Sequence, residues 1–237
     1  MPYKILCGFA AAILCILTVL PQARAFSPTG YSSVERKEAT EPFYIAMLFY
    51  KLIDYRPDFT AWITDMPEYK AMPAIEQDMY LDDQRGYFKN LFFDLGENDP
   101  IVVNVKTQIS PYSYEHGGFF IESFRPDLFF SYEYMGNRFA IIPTDIDSYQ
   151  WYQVSQTDLE DTGLDFSKSA PVEVQLLLVP SAADSAKPTQ LGDHEHWVIN
   201  ATVKEIQIWA PNSERLLWVA QKSTGGQDNT LLELYKE

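Results

Sequence analysis

Two of the three histidines in the sequence, His194 and His196, are separated by one residue. Side chains two residues apart on a strand point the same way, so both imidazoles could reach one metal ion. Zinc would need a third ligand, for which Asp193 and His116 are the candidates. The sequence favours the alternative interpretation, in which the pair occupies the exposed end of a strand, over a metal site at His194 and His196.

A pair of carboxylates, Asp145 and Asp147, follows Pro143 on what the sequence predicts to be an extended segment. Two acids beside aromatic residues are typical of a sugar site, where carboxylates do acid–base work and rings stack on the pyranose. A simple turn explains the Pro-Thr-Asp-Ile-Asp stretch equally well. An acid–base hydrolase using Asp145 and Asp147 is therefore an alternative that the sequence leaves open.

Aromatic residues are concentrated in one third of the chain. Alternating aromatics usually form a core, but adjacent pairs such as Phe129-Phe130 occupy both faces of a strand. One face is then either covered by protein or exposed as an apolar patch, and such patches usually bind a partner. The candidate ligand- or partner-binding residues are Phe129, Phe130, Tyr132, Trp151 and Tyr152.

Established catalytic motifs are missing from the sequence. It contains no Gly-x-Ser-x-Gly, no Ser-x-x-Lys and no Gly-x-x-x-x-Gly-Lys loop. We therefore predict no cofactor and favour a non-catalytic domain over an enzyme. The open alternative is an envelope hydrolase, either metal-assisted through His194 and His196 or acid–base through Asp145 and Asp147. A carrier of a small apolar ligand is a third class that the sequence leaves open.

The first 25 residues have the pattern of a cleavable signal peptide. Lys4 precedes an uncharged apolar run from Ile5 to Leu20, and Ala23-Arg24-Ala25 places small residues where signal peptidase requires them. The run is shorter than the roughly 20 residues that span a membrane. We predict cleavage after Ala25, a secreted or periplasmic location and no membrane span in the mature chain.

Charge and cysteine content narrow the class of protein further. The chain has 33 acidic and 18 basic residues, for a net charge of −15. Such a surface argues against binding nucleic acid, which needs Lys and Arg to replace counterions. Both cysteines, Cys7 and Cys15, lie within the predicted signal peptide, so the mature chain has no disulfide. An oxidising compartment without cysteines fits a bacterial periplasm.

Two or three helices are predicted in the first part of the mature chain. Thr40 is a candidate N-cap for an apolar helix from Phe43 to Ile53, and Pro67 and Pro73 mark further helix starts. The helix after Pro73 is predicted over Ala74 to Phe88. Its inward-facing residues are predicted to be Ile75, Met79 and Tyr80.

About seven antiparallel strands are predicted after residue 99, where the period of the hydrophobic pattern changes from that of a helix to two residues. A turn at Gly136-Asn137 predicts a hairpin, and Val172 to Val179 predicts a strand buried on both faces. A long loop is predicted from Pro180 to Glu195. The long strand that follows, Trp197 to Trp209, changes phase near Lys204-Glu205, which indicates a bulge.

The predicted architecture is α+β: N-terminal helices followed by an antiparallel sheet, sandwich or partial barrel. The predicted segments are a signal peptide (1–25), a flexible leader (26–39), one domain (40–222, helical over 40–95 and β over 99–222) and a tail (223–237). The expected function is binding to another envelope component, a protein or a glycan. The expected surface is the aromatic sheet face or the Phe43–Ile53 helix.

Overall fold

The computed structural model describes residues 36–212 and 215–221, in which helices come first and a mostly antiparallel sheet follows. The helices are α1 (Pro42–Leu52), α2 (Phe59–Asp65), α3 (Pro67–Ala71) and α4 (Ala74–Asp94). The strands are β1 (Ile101–Ile109), β2 (Gly118–Phe120), β3 (Phe130–Tyr134), β4 (Asn137–Pro143), β5 (Trp151–Gln153), β6 (Ala170–Leu191), β7 (His194–Trp209) and β8 (Leu216–Gln221). The α+β class is confirmed. The predicted signal peptide, residues 26–35 of the leader and the predicted tail lie outside the described residues.

Six strands form one sheet in the order β1-β6-β7-β4-β3, with β8 pairing the second half of β7, while β2 and β5 form a separate two-stranded sheet. One pairing differs from the predicted antiparallel sheet, because β4 and β7 run parallel. β7 forms an antiparallel hairpin with β6 on its other side. Hydrophobic periodicity shows which residues face the core, but it does not show which strands become neighbours.

Helix α1 is apolar on nearly all sides because it lies between two parts of the core. Ile45 and Phe49 pack into the main cluster against the sheet. Met47 belongs to a second cluster that also contains Phe59 of α2 and Phe88 of α4. All three α1 residues are at most 2% exposed. The apolar surface of this predicted helix is thus covered within the chain itself.

Two predictions about the helical part are wrong. Thr40 does not cap α1, since Glu41 is the N-cap, and the Thr40 hydroxyl accepts from the Val102 amide of β1 at 2.8 Å. Ile75 and Met79 are 89% and 67% exposed rather than inward-facing. Helix α4 continues to Asp94, and its buried residues, Phe88 and Phe92, lie in its second half. Within the described ranges, every helix is too short or too polar to cross a bilayer.

The β3–β4 hairpin forms as predicted, but its turn is one residue earlier. Met135 and Gly136 are the central turn residues, with φ values of 48° and 69°, and Asn137 pairs with Tyr134. A two-residue turn that matches strand twist needs positive φ at both positions. The register therefore differs by two from the prediction, and Tyr132 lies opposite Phe139. A shift of two keeps every side chain on its predicted face.

The predicted loop from Pro180 to Glu195 is also wrong, because β6 extends to Leu191 and turns at Gly192-Asp193 directly into β7. Most side chains of this extension are exposed, so the sequence there lacks the alternation that marks a half-buried strand. The predicted bulge is confirmed: β6 residues Leu177 and Leu178 pair with Glu205 and Val203, leaving Lys204 between them.

The last residues of the predicted leader contact the sheet. The Arg36 guanidinium lies 2.6 Å from the Glu173 carboxylate, and it holds the pKa of that carboxyl below its usual value. The buried Gln175 side chain accepts from the Lys37 backbone amide and donates to the Lys37 carbonyl. Residues 36 and 37 are therefore attached to β6.

Candidate functional site

A cleft of about 550 Å³ lies beside the small β2–β5 sheet. This volume is within the range of about 300–1,000 Å³ typical of ligand sites. The walls come from the loop before β2, the segment from Ser148 to Gln156, and β8. Six rings line the cleft: Tyr112, Tyr114, His116, Tyr149, Trp151 and Trp218.

The β2–β5 sheet brings the loop before β2 close to the second wall. A Cβ atom at Gly118 would lie 2.3 Å from the Tyr152 carbonyl oxygen, so the close approach requires glycine. Gly117 has a φ of +63°, and its carbonyl accepts from the Val154 amide at 3.0 Å. These two glycines therefore allow the loop to turn tightly over β5.

Ring contacts hold the aromatic walls in place. The His116 imidazole stacks on the Trp151 indole with centroids 4.1 Å apart, and Tyr112 makes edge contacts with Tyr114 at 5.1 Å. The Tyr112 hydroxyl donates to the buried Val154 carbonyl at 2.9 Å. Tyr114 itself is 67% exposed at the cleft. His116 is exposed as well. The cleft thus combines rings held by protein contacts with ring surface that a ligand can reach.

The cleft lining is uncharged although the chain is strongly acidic. Among the described lining residues there is no Asp, Glu, Lys or Arg, in a chain of net charge −15. Besides the polar groups on the rings, its polar side chains are the hydroxyls and amides of Ser148, Gln153, Ser155 and Gln156. An uncharged site lined by rings and hydrogen-bonding groups suits a ligand that is itself neutral and part apolar, part polar.

The predicted binding residues divide between this cleft and the rest of the protein. Trp151 lines the cleft. Tyr152 points to the opposite face, is 1% exposed, and donates its hydroxyl to the Leu217 carbonyl at 3.1 Å. Phe130 and Tyr132 are partly buried and pack against the main core, where burial raises the pKa of Tyr132 to about 12. The structure therefore does not bring the five predicted residues into one site.

Phe129 lies at a different place, in a shallow depression of about 570 Å³ that it shares with charged residues including Glu122, Arg125 and Asp127. Its ring also makes an edge contact with the imidazole of His196, with centroids 5.6 Å apart. Phe129 is half-buried. The aromatic face predicted around Phe129 and Phe130 is thus largely covered by protein.

The predicted metal ligands do not converge. His194 is exposed, whereas His196 is 3% exposed. The Nδ1 of His196 lies 3.0 Å from the His194 carbonyl oxygen, which can only accept, so Nδ1 carries the proton. Nε2 then accepts from the Ser131 hydroxyl at 2.9 Å. In the described part of the chain, no group of three or more His, Cys, Asp or Glu is placed to hold a metal ion.

The two carboxylates of the predicted pair, Asp145 and Asp147, lie in different environments. A single-turn 3₁₀ helix (Ile146–Tyr149) replaces the predicted extended segment. The Asp145 carboxylate accepts from the Val203 amide of β7 at 2.8 Å, while Asp147 is exposed. Asp147 immediately precedes the cleft residue Ser148, but neither Asp145 nor Asp147 is among the residues that line the cleft. Asp145 thus anchors this turn to the main sheet.

A second cavity of about 500 Å³ lies between α1 and the start of β1. Acidic residues line it, among them Glu38, Glu41 and Asp99. The Asp99 carboxylate is used in a local turn, where it accepts from the Gly96 amide at 2.8 Å. This cavity has little of the aromatic character of the cleft.

Sequence reasoning missed most of the cleft residues. Tyr112, Tyr114 and His116 lie in a short run before β2, and Trp218 is more than 60 residues from Trp151 along the chain. The run of aromatic residues around Ser113 is the local signal that could have indicated them. Comparison with protein-family models, curated proteins and solved structures found no match. The function is therefore inferred from the site itself.

Proposed function

We propose that this protein is a non-catalytic, exported domain that binds another component of the bacterial cell envelope through the cleft beside the β2–β5 sheet. The observation that carries the proposal is the uncharged, ring-lined cleft on an acidic chain. Concave sites with aromatic walls and a few polar groups are the usual form of ligand sites. Export rests on the signal-like residues 1–25 and the predicted cleavage after Ala25.

The placement of α1 favours the cleft over the apolar helix as the binding surface. The buried residues Ile45 to Phe49 contact the sheet on one side and α2 and α4 on the other. A partner could reach them only after the core had opened. The exposed Tyr114 ring, by contrast, is accessible without any rearrangement.

A binding role is favoured over the envelope hydrolase because one residue of each candidate catalytic pair serves structural contacts. The Asp145 carboxylate is bonded to the Val203 amide, and both ring nitrogens of His196 have protein partners. General acid–base catalysis needs groups within hydrogen-bond reach of a common reacting atom. Neither Asp145 nor His196 lines the cleft.

Co-sedimentation of the purified protein with Gram-negative peptidoglycan sacculi and with outer-membrane vesicles tests the proposal. We expect saturable binding to one of these fractions and a loss of about tenfold in affinity for Tyr114→Ala. The matched control is Tyr55→Ala, which removes a similarly exposed tyrosine remote from the cleft and should bind like the wild type. Equal binding by wild type and Tyr114→Ala, or binding to neither fraction, contradicts the proposal.

A further inference from the structure

We propose that the ligand of the cleft is a neutral carbohydrate chain, an inference that rests on the proposed binding function and specifies its ligand. Three features of the described lining lead to this class: its lack of formal charge, the direction of its hydroxyl hydrogen bonds, and its exposed ring surface.

The lack of basic residues in the lining disfavours an anionic ligand. A charged group that leaves water needs an opposite charge or several hydrogen bonds in the site. The described lining has no Lys or Arg to meet an anion. Carboxylates surround the cleft instead, because Glu115 and Asp147 are exposed next to lining residues and Asp158 is bonded to Ser155. These rim carboxylates repel an anionic glycan or a phosphate group.

Ring faces attract cations, so a cationic ligand is the competing class for this cleft. No carboxylate is among the described lining residues, so a cation seated there has no ion-pair partner in direct contact. The neutral class is preferred because the lining offers rings and neutral hydrogen-bonding groups.

Hydrogen-bond direction distinguishes a sugar from a proline-rich peptide, the other neutral ligand that aromatic grooves bind. The Ser148 hydroxyl donates to the Asp145 carbonyl at 2.8 Å, and the Ser155 hydroxyl donates to the Asp158 carboxylate at 2.7 Å. The Ser155 hydroxyl also lies 2.7 Å from the Thr157 hydroxyl. Each hydroxyl has one hydrogen, so in this arrangement both serines have lone pairs that can accept from a ligand. A ligand that supplies O–H donors satisfies them.

A proline-rich peptide offers mainly carbonyl acceptors, because proline has no amide hydrogen. Such a peptide leaves the lone pairs of Ser148 and Ser155 without a donor, although the phenol and indole groups of the lining can donate to its carbonyls. The amides of Gln153 and Gln156 carry both donor and acceptor groups, and both side chains are exposed. Together the four polar side chains match the mixed donors and acceptors of sugar hydroxyls.

The rings supply the apolar half of sugar recognition. A ring face is negative at its centre, so it attracts the weakly positive C–H groups on the face of a pyranose. Tyr114 and His116 are exposed at the cleft, and Tyr149 and Trp218 are partly exposed. A cleft of about 550 Å³ holds a short stretch of a chain rather than a polymer surface.

The test is isothermal titration of the purified protein with four probes: cellohexaose, maltohexaose, an N-acetylglucosamine hexamer, and a galacturonic acid hexamer as the anionic comparison. A proline decapeptide is titrated in parallel. We expect saturable binding of at least one neutral hexamer, weakened about tenfold by Tyr114→Ala and by Gln156→Ala. Tyr55→Ala should bind as the wild type does.

Three results would overturn the inference: no binding of any neutral hexamer, tighter binding of the anionic hexamer or the peptide, and neutral-sugar binding unchanged by both cleft variants. The envelope experiment separates this failure from failure of the proposed function. If sacculi or vesicles still bind in a Tyr114-dependent way, only the carbohydrate assignment is wrong. Circular dichroism of each variant shows that it has folded.

Discussion

The imidazole of His116 stacks on the indole of Trp151, with ring centroids 4.1 Å apart and ring planes inclined at 32°. This contact joins the loop before β2 to strand β5, and Phe120 approaches the same indole edge-on at 5.4 Å. One face of Trp151 is therefore used within the protein. The contact holds a cleft wall in position before any ligand arrives.

Replacing His116 tests that role. We expect His116→Ala to lower the free energy of unfolding by about 0.5–1.5 kcal/mol, the usual contribution of a ring pair. His116→Phe retains a stacking ring and should restore most of the loss. Urea unfolding followed by tryptophan fluorescence measures both variants. If the alanine and phenylalanine variants are equally stable, the stack does not hold the loop.

Two tyrosines with buried hydroxyls should differ in how removal of the hydroxyl changes the stability of the protein. The Tyr134 hydroxyl is buried and has no hydrogen-bond partner among the described residues, so Tyr134→Phe should be neutral or stabilising by up to about 1 kcal/mol. The Tyr112 hydroxyl donates to the buried Val154 carbonyl. Tyr112→Phe should therefore cost about 1–3 kcal/mol. Thermal unfolding measures the stability of the two variants. A similar loss of stability in both would contradict this prediction.

Stability should fall at strongly alkaline pH. Burial raises the pKa of Tyr132 and of Tyr134 from 10.0 to about 12, which favours the neutral phenol in the folded state. The resulting stability is present below about pH 10 and is lost as pH rises toward about 12. The Tyr132→Phe/Tyr134→Phe double variant should show a shallower decline in unfolding free energy over that range. An identical decline in both proteins would contradict the assignment to these tyrosines.

Asp145 should matter for stability, whereas Asp147 should not. Removing the Asp145 carboxylate leaves the Val203 amide without its acceptor, and Val203 is 1% exposed. Asp145→Ala should cost about 1–3 kcal/mol, and Asp145→Asn should recover much of that, because its amide oxygen can accept. Asp147→Ala, at an exposed site, should change stability by less than about 0.5 kcal/mol. Chemical denaturation measures the free energy of unfolding of each variant. An equal loss of stability at Asp145 and Asp147 would contradict this prediction and argue that the two carboxylates act together.

Zinc should not stabilise the protein. Both ring nitrogens of His196 have protein partners, so a metal ion would have to break one of those hydrogen bonds. We expect no rise in melting temperature with excess zinc, since only a ligand that binds the folded state raises it. A rise that disappears in His196→Ala would establish the metal site that the histidine spacing alone suggested.

Local patterns in the sequence predicted individual elements well. The change of period after residue 99 located the start of β1 at Ile101, prolines located the starts of α3 and α4, and the phase change near Lys204 located the bulge in β7. In each case the signal is a property of neighbouring residues. The exposed Ile75 and Met79 show the limit, because apolar spacing on a helix does not reveal how far the helix extends beyond its core.

The cleft could not be predicted in the same way. Its walls come from residues around Tyr114, around Trp151 and at Trp218, and only strand pairing brings these segments together. Of the five predicted binding residues, only Trp151 lines it, because composition shows where rings are abundant but not which of them are exposed. The need for glycine at position 118 likewise arises only in the folded protein, where the backbone of Tyr152 lies against it.

The most direct test of the cleft as the ligand site uses the five tryptophans as positioned reporters. In the nitrogen–proton NMR spectrum, the indole N–H signals are followed during titration with the neutral hexasaccharides and, separately, with soluble fragments released from sacculi by muramidase. We expect the indole signals of Trp151 and Trp218 to shift. The signals of Trp62, Trp197 and Trp209, which are outside the lining, should not shift. Shifts confined to those three signals, or no shift with either probe, would contradict the cleft as the ligand site.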